Sequence, residues 1–434
     1  MTLSQSKYSI ANLRRLAKVR ASAQSVPPPS SWFKGDRVLW IIIAVLSVIS
    51  ILVVYSSTAK MAYNDSAIRS TTQFLQQQIG ALLIGAGLIM AIAHLFKSQF
   101  FMAIAPVVFY LSLLLTGLAY LTGMSTNGAA RWLPIGGFQF QPSEALKVAT
   151  IMYLARVLAV RQNVIHKLRL IPTYNITKWS TPKQKKILKE GFFPVVFPML
   201  LACAIVIPAH TSSAVLLFVS SLVVMAIGRI KYVELGKLVL FVGLAASIFF
   251  IGGAGRSDTA GGRLSTWVEL WTGDRSNIPV EELSDTERSM AAIHHGGAMG
   301  VGPGRSVMRV ELIHPESDYA FALFVEEYGA IIAVALMMLY IWIFFRAITI
   351  FKKCGTTFPA LLVLGLGMMI TCQALLHIAV SVNLIPETGQ TLPLISRGGS
   401  ALIFNAIALG MILSVSRQND ERSHDMPRSQ SIWE

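Results

Sequence analysis

The stretch HPESDYAFALFVEEYG, residues 314–329, puts Asp318 at the head of an apolar segment and two more carboxylates, Glu326 and Glu327, inside it. The run from Tyr319 to Phe345 is long enough to cross a bilayer at about 1.5 Å per residue. Ionisable groups in a spanning helix are costly and face a protein interior or a watery cavity, which makes them site candidates by default. A helix running from Asp318 places Glu326 about 12 Å deeper and about 80° round, with Glu327 pointing away. Asp318 then sits at a membrane surface, at the positive end of the helix dipole, where a carboxylate serves as N-cap and as reactive group. The bland alternative is that Asp318 only caps, while Glu326 and Glu327 only pair with cations in the bundle.

The elements that must hold these groups are membrane helices. With 54% hydrophobic and only 14% charged residues, the chain is neither an ordinary soluble domain nor a disordered one. Apolar runs at about 38–57, 78–96, 99–122, 143–160, 193–209, 211–228, 232–252, 319–346, 358–383 and 399–416 predict an all-α polytopic membrane protein of about ten transmembrane helices. A large extracytoplasmic loop, 253–318, then joins helices 7 and 8. Two runs carry breaks: Lys147 and Arg156 interrupt 143–160, and Pro208 and His210 divide 193–228.

The chain carries 37 Lys and Arg against 22 Asp and Glu, and the excess gathers in 1–37, 156–191, Arg229 with Lys231, and Lys352 with Lys353. Ten spans put all of these on one side, so both termini are expected in the cytoplasm. Residues 1–37 read as a basic cytoplasmic tail, 38–418 as the transmembrane domain, 161–192 as a cytoplasmic loop and 419–434 as a polar, disordered tail. The basic tails lack interleaved aromatics, so they do not read as nucleic-acid binders. Cys203, Cys354 and Cys372 have neither metal nor disulfide spacing.

Four more segments carry chemistry-bearing types. NGAARWLPIGGFQFQPSEALKV places Arg131 and Trp132 at the outer interface, then Glu144 and Lys147 at i, i+3, either a self-neutralising pair or cavity contacts. The 296–306 stretch is a glycine series that permits tight turns and a weak anion-binding signal. PAHTSSAV, 208–215, is a polar break. NLIPETGQTLPLISRGGSALIF, 383–404, is non-helical backbone between two spans, which survives at membrane depth only when buried in protein or lining water.

NGAARW, QPSEALKV, the GGxxGxGxxxS pattern, HPESDYAFALFVEEYG and PETGQTLPLISRGGS, in this order over roughly 38–418, resemble the SEDS family of membrane proteins, with division (FtsW) and elongation (RodA) branches. The resemblance implies a peptidoglycan glycosyltransferase. It would polymerise lipid II, an undecaprenyl-diphosphate-linked disaccharide peptide, outside the cytoplasmic membrane, beside a class B penicillin-binding protein and other division-machinery membrane proteins. It also places Asp318 at the family's essential aspartate, as base for the acceptor hydroxyl. Arg131, Lys147, Arg263 and Arg397 are then candidates for diphosphate or cavity contacts, with Glu144, Glu326 and the Ser396, Gly398, Gly399 and Ser400 of the SRGGS motif beside them. The alternative for Glu326 and Lys147 is a pairing across the bundle. A divalent cation, Mg²⁺ or Mn²⁺, is compatible with diphosphate chemistry, but no ligand cluster demands it.

SRGGS stands where SYGGS is common, PAHTSS where PDLGT is common and HPESD where LPxxHTD is common; no Gln is evident before SMAAI. These departures resemble the division branch, and imply a role at the septum. A flippase for lipid-linked precursor, an elongation-type polymerase and an inactive division scaffold remain as alternatives.

Overall fold

The computed structural model describes residues 33–58, 71–122, 124–126, 129–135, 138–162, 165, 170, 188–208, 210–251, 257–272, 283–312 and 314–425. The chain divides into two units, Met1–Lys34 and Gly35–Glu434, and the fold described is that of the second. Most of the basic N-terminal tail, most of the 161–192 loop and residues 426–434 lie outside the described residues.

Each of the ten apolar runs is helical. The helices are α1 (Arg37–Ser57), α2 (Thr71–Leu95), α3 (Ser98–Thr122), α4 (Pro142–Val160), α5 (Phe197–Val206, entered through a π-helical turn, Leu188–Val196), α6 (Thr211–Ile227) and α7 (Tyr232–Ile251). The long connection then forms α8 (Ser257–Thr272) and α9 (Asp285–Gly296), and the chain returns as α10 (Ala320–Lys352), α11 (Thr357–Ser381) and α12 (Gly399–Asp425). Seven described helices are long and apolar enough to cross a membrane. Their burial sets the layers: α11 and α12 are 78% buried and central, whereas α2 is 22% buried and faces outward. Three short antiparallel strands, β1 (Met124–Thr126), β2 (Ala129–Ile135) and β3 (Phe138–Phe140), precede α4. They did not figure among the sequence expectations.

Charged residues inside the apolar runs do structural work. Pro106 in α3 has no N–H for the Met102 carbonyl four residues back. Arg156 of α4 supplies the donor instead, bonding Met102 O at 2.7 Å and Ala103 O at 2.9 Å. Arg417 of α12 donates to the carbonyls of His94 and Phe96 at the end of α2, at 2.7 and 3.1 Å, where a cation also meets the negative end of the helix dipole. Asp36 caps α1 through Leu39 N (3.0 Å) and pairs with Arg346 of α10. The tail expected to be disordered from residue 419 is instead helical to Asp425, because Asn419 donates to Ile350 O (3.2 Å) and Glu421 pairs with Arg417 at 3.7 Å.

Helix α10 is broken at Gly329 (φ 84°, ψ 162°), and the glycine series fills the break. Val301 N and Gly302 N donate to Glu326 O and Glu327 O at 2.9 and 3.0 Å. In return Ala330 N and Ile331 N donate to Gly297 O and Ala298 O at 2.9 and 3.3 Å. A Cβ on Gly300 (φ +79°) would strike the Glu327 carbonyl, so this approach of backbone to backbone needs glycine. Gly300→Ala is therefore expected to cost ~2 kcal/mol or more, through left-handed strain plus collision. Gly117→Ala, in α3 with no neighbour within 4 Å of the added methyl, should be tolerated. Thermal unfolding in detergent that ranks the two equally would contradict this packing.

Candidate functional site

One cavity of about 730 Å³ collects three separated parts of the sequence. The first is the turn before α10. Ser317 N and Asp318 N both donate to His314 O at 3.1 Å, with His314 in the left-handed region at φ 58°. This turn leaves Asp318 outside the helix. The residue flanking the first helical turn is Tyr319, which makes no side-chain cap bond, so the N-cap position expected for Asp318 is corrected by one residue. Its side chain lines the cavity beside His314, Glu316 and Ser317.

The second part is the non-helical 383–398 segment. Its carbonyls cannot bond within a helix, so side chains from other elements satisfy them. Trp267 donates to Asn383 O (3.2 Å), Ser212 to Thr388 O (2.7 Å), His377 to Gln390 O (2.6 Å) and Gln373 to Thr391 O (3.0 Å). Tyr340 donates to Pro393 O (2.6 Å) and Ser50 to Ile395 O (3.0 Å). The segment is thereby fixed against five helices. The turn at its end is tied to the Asp318 turn: Ser396 Oγ donates to Ser317 O at 2.7 Å, and Arg397 N to Glu316 O at 2.8 Å.

The third part is a wall of mostly uncharged groups with one carboxylate, Glu144. Gln77, Ala81 and Ile84 recur at helical spacing along one face of α2. Trp132 and Gln139 come from the strands, and Gln141 and Glu144 from the head of α4. Ser400 joins this wall to α12 by donating to Gln139 O (2.8 Å) and accepting from Gln141 N (3.0 Å).

The expected site residues divide accordingly. Asp318, Glu144, Arg397, Gly398 and Gly399 line the cavity, and Ser396 and Ser400 bond its walls together. Arg397 lies over the Phe74 ring at 4.4 Å and donates to Gln77 Oε1 at 3.1 Å. Lys147 is behind the wall, 1% exposed, paired with Glu144 at 2.9 Å and donating to Gln373 at 3.1 Å. The alternative pairing of Lys147 with Glu326 does not form. Glu326 accepts from Ser306, from Val307 N (3.0 Å) and Met308 N (3.2 Å), and meets His295 Nδ1 at 2.9 Å, while Glu327 accepts from Ser56 and Gly304 N. These two glutamates anchor the glycine loop, so its N–H groups hold protein, and the anion-binding reading of that series gives way. Arg263 reaches Glu387 O at 3.4 Å. The side chain of Arg131 lies outside the described residues.

The cavity-lining groups that were missed include His210, His314 and Gln390. A signal existed for His210, in the polar break PAHTSS, and for His314, at i−4 from Asp318. Glu316 lies 3.5 Å from the His314 ring and raises its pKa, partial burial opposes this, and the charge of Asp318 assists. A histidine raised in the folded state adds stability that is complete below about pH 6.5 and lost as pH rises through the folded value. His314→Gln should accordingly lower Tm at acidic pH and converge on the wild type as pH rises past the folded His314 value. A Tm difference constant across that range would contradict the pairing.

With this geometry, the chain was compared with known proteins. The pattern of the FtsW/RodA/SpoVE family, described as cell cycle protein, matches residues 36–421. A probable peptidoglycan glycosyltransferase FtsW of Neisseria gonorrhoeae is 28% identical over 406 residues, covering 88% of this chain and 84% of that one. Stage V sporulation protein E of Bacillus subtilis is 28% identical, covering 88% of this chain and 97% of that one. Among solved structures, a peptidoglycan synthase complex that coordinates polymerization and crosslinking contains a similar chain, at TM-score 0.63 and 19% identity, covering 89% of this chain and 98% of that one. The rod shape determining protein RodA of Thermus thermophilus aligns at TM-score 0.59 and 21% identity, with 89% and 98% covered. At these identities the structures establish the fold.

Proposed function

Because the chain belongs to the FtsW/RodA/SpoVE family, we infer that it is a multi-pass membrane peptidoglycan glycosyltransferase, polymerising lipid II at the cavity that Asp318 lines. The observation that supports this reading most is the pairing of opposite chemistries in one cavity. A carboxylate stands on one turn, and the turn hydrogen-bonded to it brings Arg397 and the N-terminus of α12.

Polymerisation forms a bond between an acceptor sugar oxygen and an anomeric carbon, and breaks the bond from that carbon to a lipid diphosphate. Asp318 takes the hydroxyl proton as the oxygen attacks. The electron pair of the broken bond leaves on the diphosphate, whose charge is met by Arg397 and by the unsatisfied N–H groups around Gly398, Gly399 and Ser400 at the head of α12. Glu144, held by Lys147, completes the wall. Arg131 and Arg263 are proposed as outer contacts for the same anionic substrate.

Among the described residues, no three His, Cys, Asp or Glu side chains are placed to hold a metal ion by themselves. A Mg²⁺ or Mn²⁺ ion would arrive with the diphosphate, held on the protein side by one or two carboxylates such as Asp318 and Glu316, and would offset the charge of the leaving group. The partner proposed is a class B penicillin-binding protein, in keeping with the synthase complex whose chain shares this fold. Cytoplasmic termini and a septal location belong to the same proposal, supported by the basic asymmetry of the sequence and the FtsW relatives.

The test is polymerisation of lipid II by the purified full chain, with and without the transpeptidase. Glycan polymer that depends on Asp318 is the expected result. Absence of polymer from well-folded complex overturns the assignment.

A further inference from the structure

His210 opens α6 far from Asp318 in sequence, yet both border Gly389. The position of a Cβ on Gly389 would lie 3.7 Å from His210 Nε2 and 3.8 Å from Asp318 Oδ2. The Gly389 carbonyl fixes a proton on Nε2, which donates to it at 3.2 Å. On the other side of the ring, Nδ1 meets Ser212 Oγ at 3.0 Å, Ser213 Oγ at 3.1 Å and Gln390 Nε2 at 3.1 Å. Ser212 Oγ donates in turn to Thr388 O at 2.7 Å, and Gln390 Nε2 to Ser213 Oγ at 2.8 Å, so the ring is held on both edges.

The chain of bonds continues behind the cavity. Gln390 O accepts from His377 Nδ1 at 2.6 Å, so His377 also has a fixed tautomer, and its Nε2 accepts from Phe321 N at 3.4 Å. Phe321 belongs to the first turn of α10, three residues beyond Asp318. His377 is 1% exposed and Gln390 4% exposed, so water does not compete for these bonds. The path leads from Phe321 through His377, Gln390 and His210 to Gly389, beside which the Asp318 carboxylate stands. It joins α6, α10, α11 and the non-helical segment around one side chain.

We propose that His210 is a positioning residue for Asp318, an imidazole whose Nε2–H holds the Gly389 wall beside the carboxylate and so aims it into the cavity. The proposal rests on the reading of Asp318 as the base. Other charged or titratable side chains on the cavity are His314, Glu316, Glu144 and Arg397, with His377 behind Gln390 and Arg263 on Glu387 O. His210, being already protonated on the nitrogen that faces Gly389, holds the wall without trading a proton.

The experiment measures lipid II polymerisation by the full chain with its transpeptidase, as kcat, KM and a pH profile, for His210→Ala, His210→Gln and Asp318→Asn, with Tm for each. His210→Ala should lose about 10- to 100-fold in kcat, the scale of a small misplacement of a reacting group, with KM within about twofold. His210→Gln, which keeps a neutral N–H donor, should recover most of the rate at an unchanged acid limb. If His210→Ala does not fold, the Gln variant carries the test by the same readouts. Wild-type kcat in His210→Ala, a rise in KM alone, or loss of the acid limb in His210→Gln overturns the positioning role. Activity in Asp318→Asn instead overturns the base assignment, whatever the histidine variants do.

Discussion

Asp318→Asn is expected to fold as the wild type does and to lose polymerisation by about 10²- to 10⁴-fold, the contribution of a positioned general base. The substitution keeps shape and volume. The turn that presents residue 318 is closed by backbone bonds, Ser317 N and Asp318 N to His314 O at 3.1 Å, and these survive an amide side chain. Ser396 holds Ser317 O at 2.7 Å independently of residue 318. What the variant removes is the lone pair that takes the acceptor proton. A second consequence separates a local change of charge from collapse of the site. The charge of Asp318 helps to raise the pKa of His314, but Glu316 is the leading cause. In Asp318→Asn the His314 titration, followed by NMR of the imidazole, should move down part of the way and stay above its ordinary value. A full return would mean that the Glu316 contact had been lost as well, and a wild-type turnover number would remove Asp318 from the chemistry.

The ten apolar runs were legible as helices from length and hydropathy, and seven described helices reach the length and apolarity of a span against the about ten expected. The run at 143–160 held despite Lys147 and Arg156 because Glu144 neutralises the first and the carbonyls freed by Pro106 take the second. That Asp318 and SRGGS would share a site followed from resemblance, while the bonds joining them, Ser396 to Ser317 and Arg397 to Glu316, connect residues about eighty apart that no periodicity links. Glu326 was misread for a related reason. Helical spacing gave its depth, but the sequence does not reveal that α10 breaks at Gly329 and admits a loop from 296–309, so the carboxylate meets Ser306 and not a cavity. His210 and Gln390 were missed because the partners of each polar break lie far away in sequence, and His377 because it is a single imidazole within an apolar helix. They become a network only when α6, α11 and the 383–398 segment converge.

Lys147→Met should be the most destabilising single change in the bundle. Lys147 and Glu144 have side-chain exposures of 2% and 8%, and Lys147 also donates to Gln373, whose amide holds Thr391 O at 3.0 Å. Truncating one partner leaves a buried, uncompensated carboxylate, at a cost of ~3–5 kcal/mol. It also loosens Gln373 and, through it, the non-helical segment that carries Arg397. Pairing Lys147→Met with Glu144→Gln removes both charges together. Desolvation of the pair is then no longer a cost, so most of the stability should return. The residue of the loss, ~1–3 kcal/mol, is that of Gln373 Oε1 left without its donor. Unfolding of the two variants in detergent measures this difference, and equal losses would contradict a paired-charge account. The double variant also separates scaffold from chemistry. Polymerisation is expected to persist at a reduced rate, because Lys147 lies behind the wall and Glu144 takes no part in the proton transfer, while the Gln373 contact stays lost. A well-folded double variant that binds lipid II but makes no polymer would instead give the Glu144 carboxylate a direct part in the reaction.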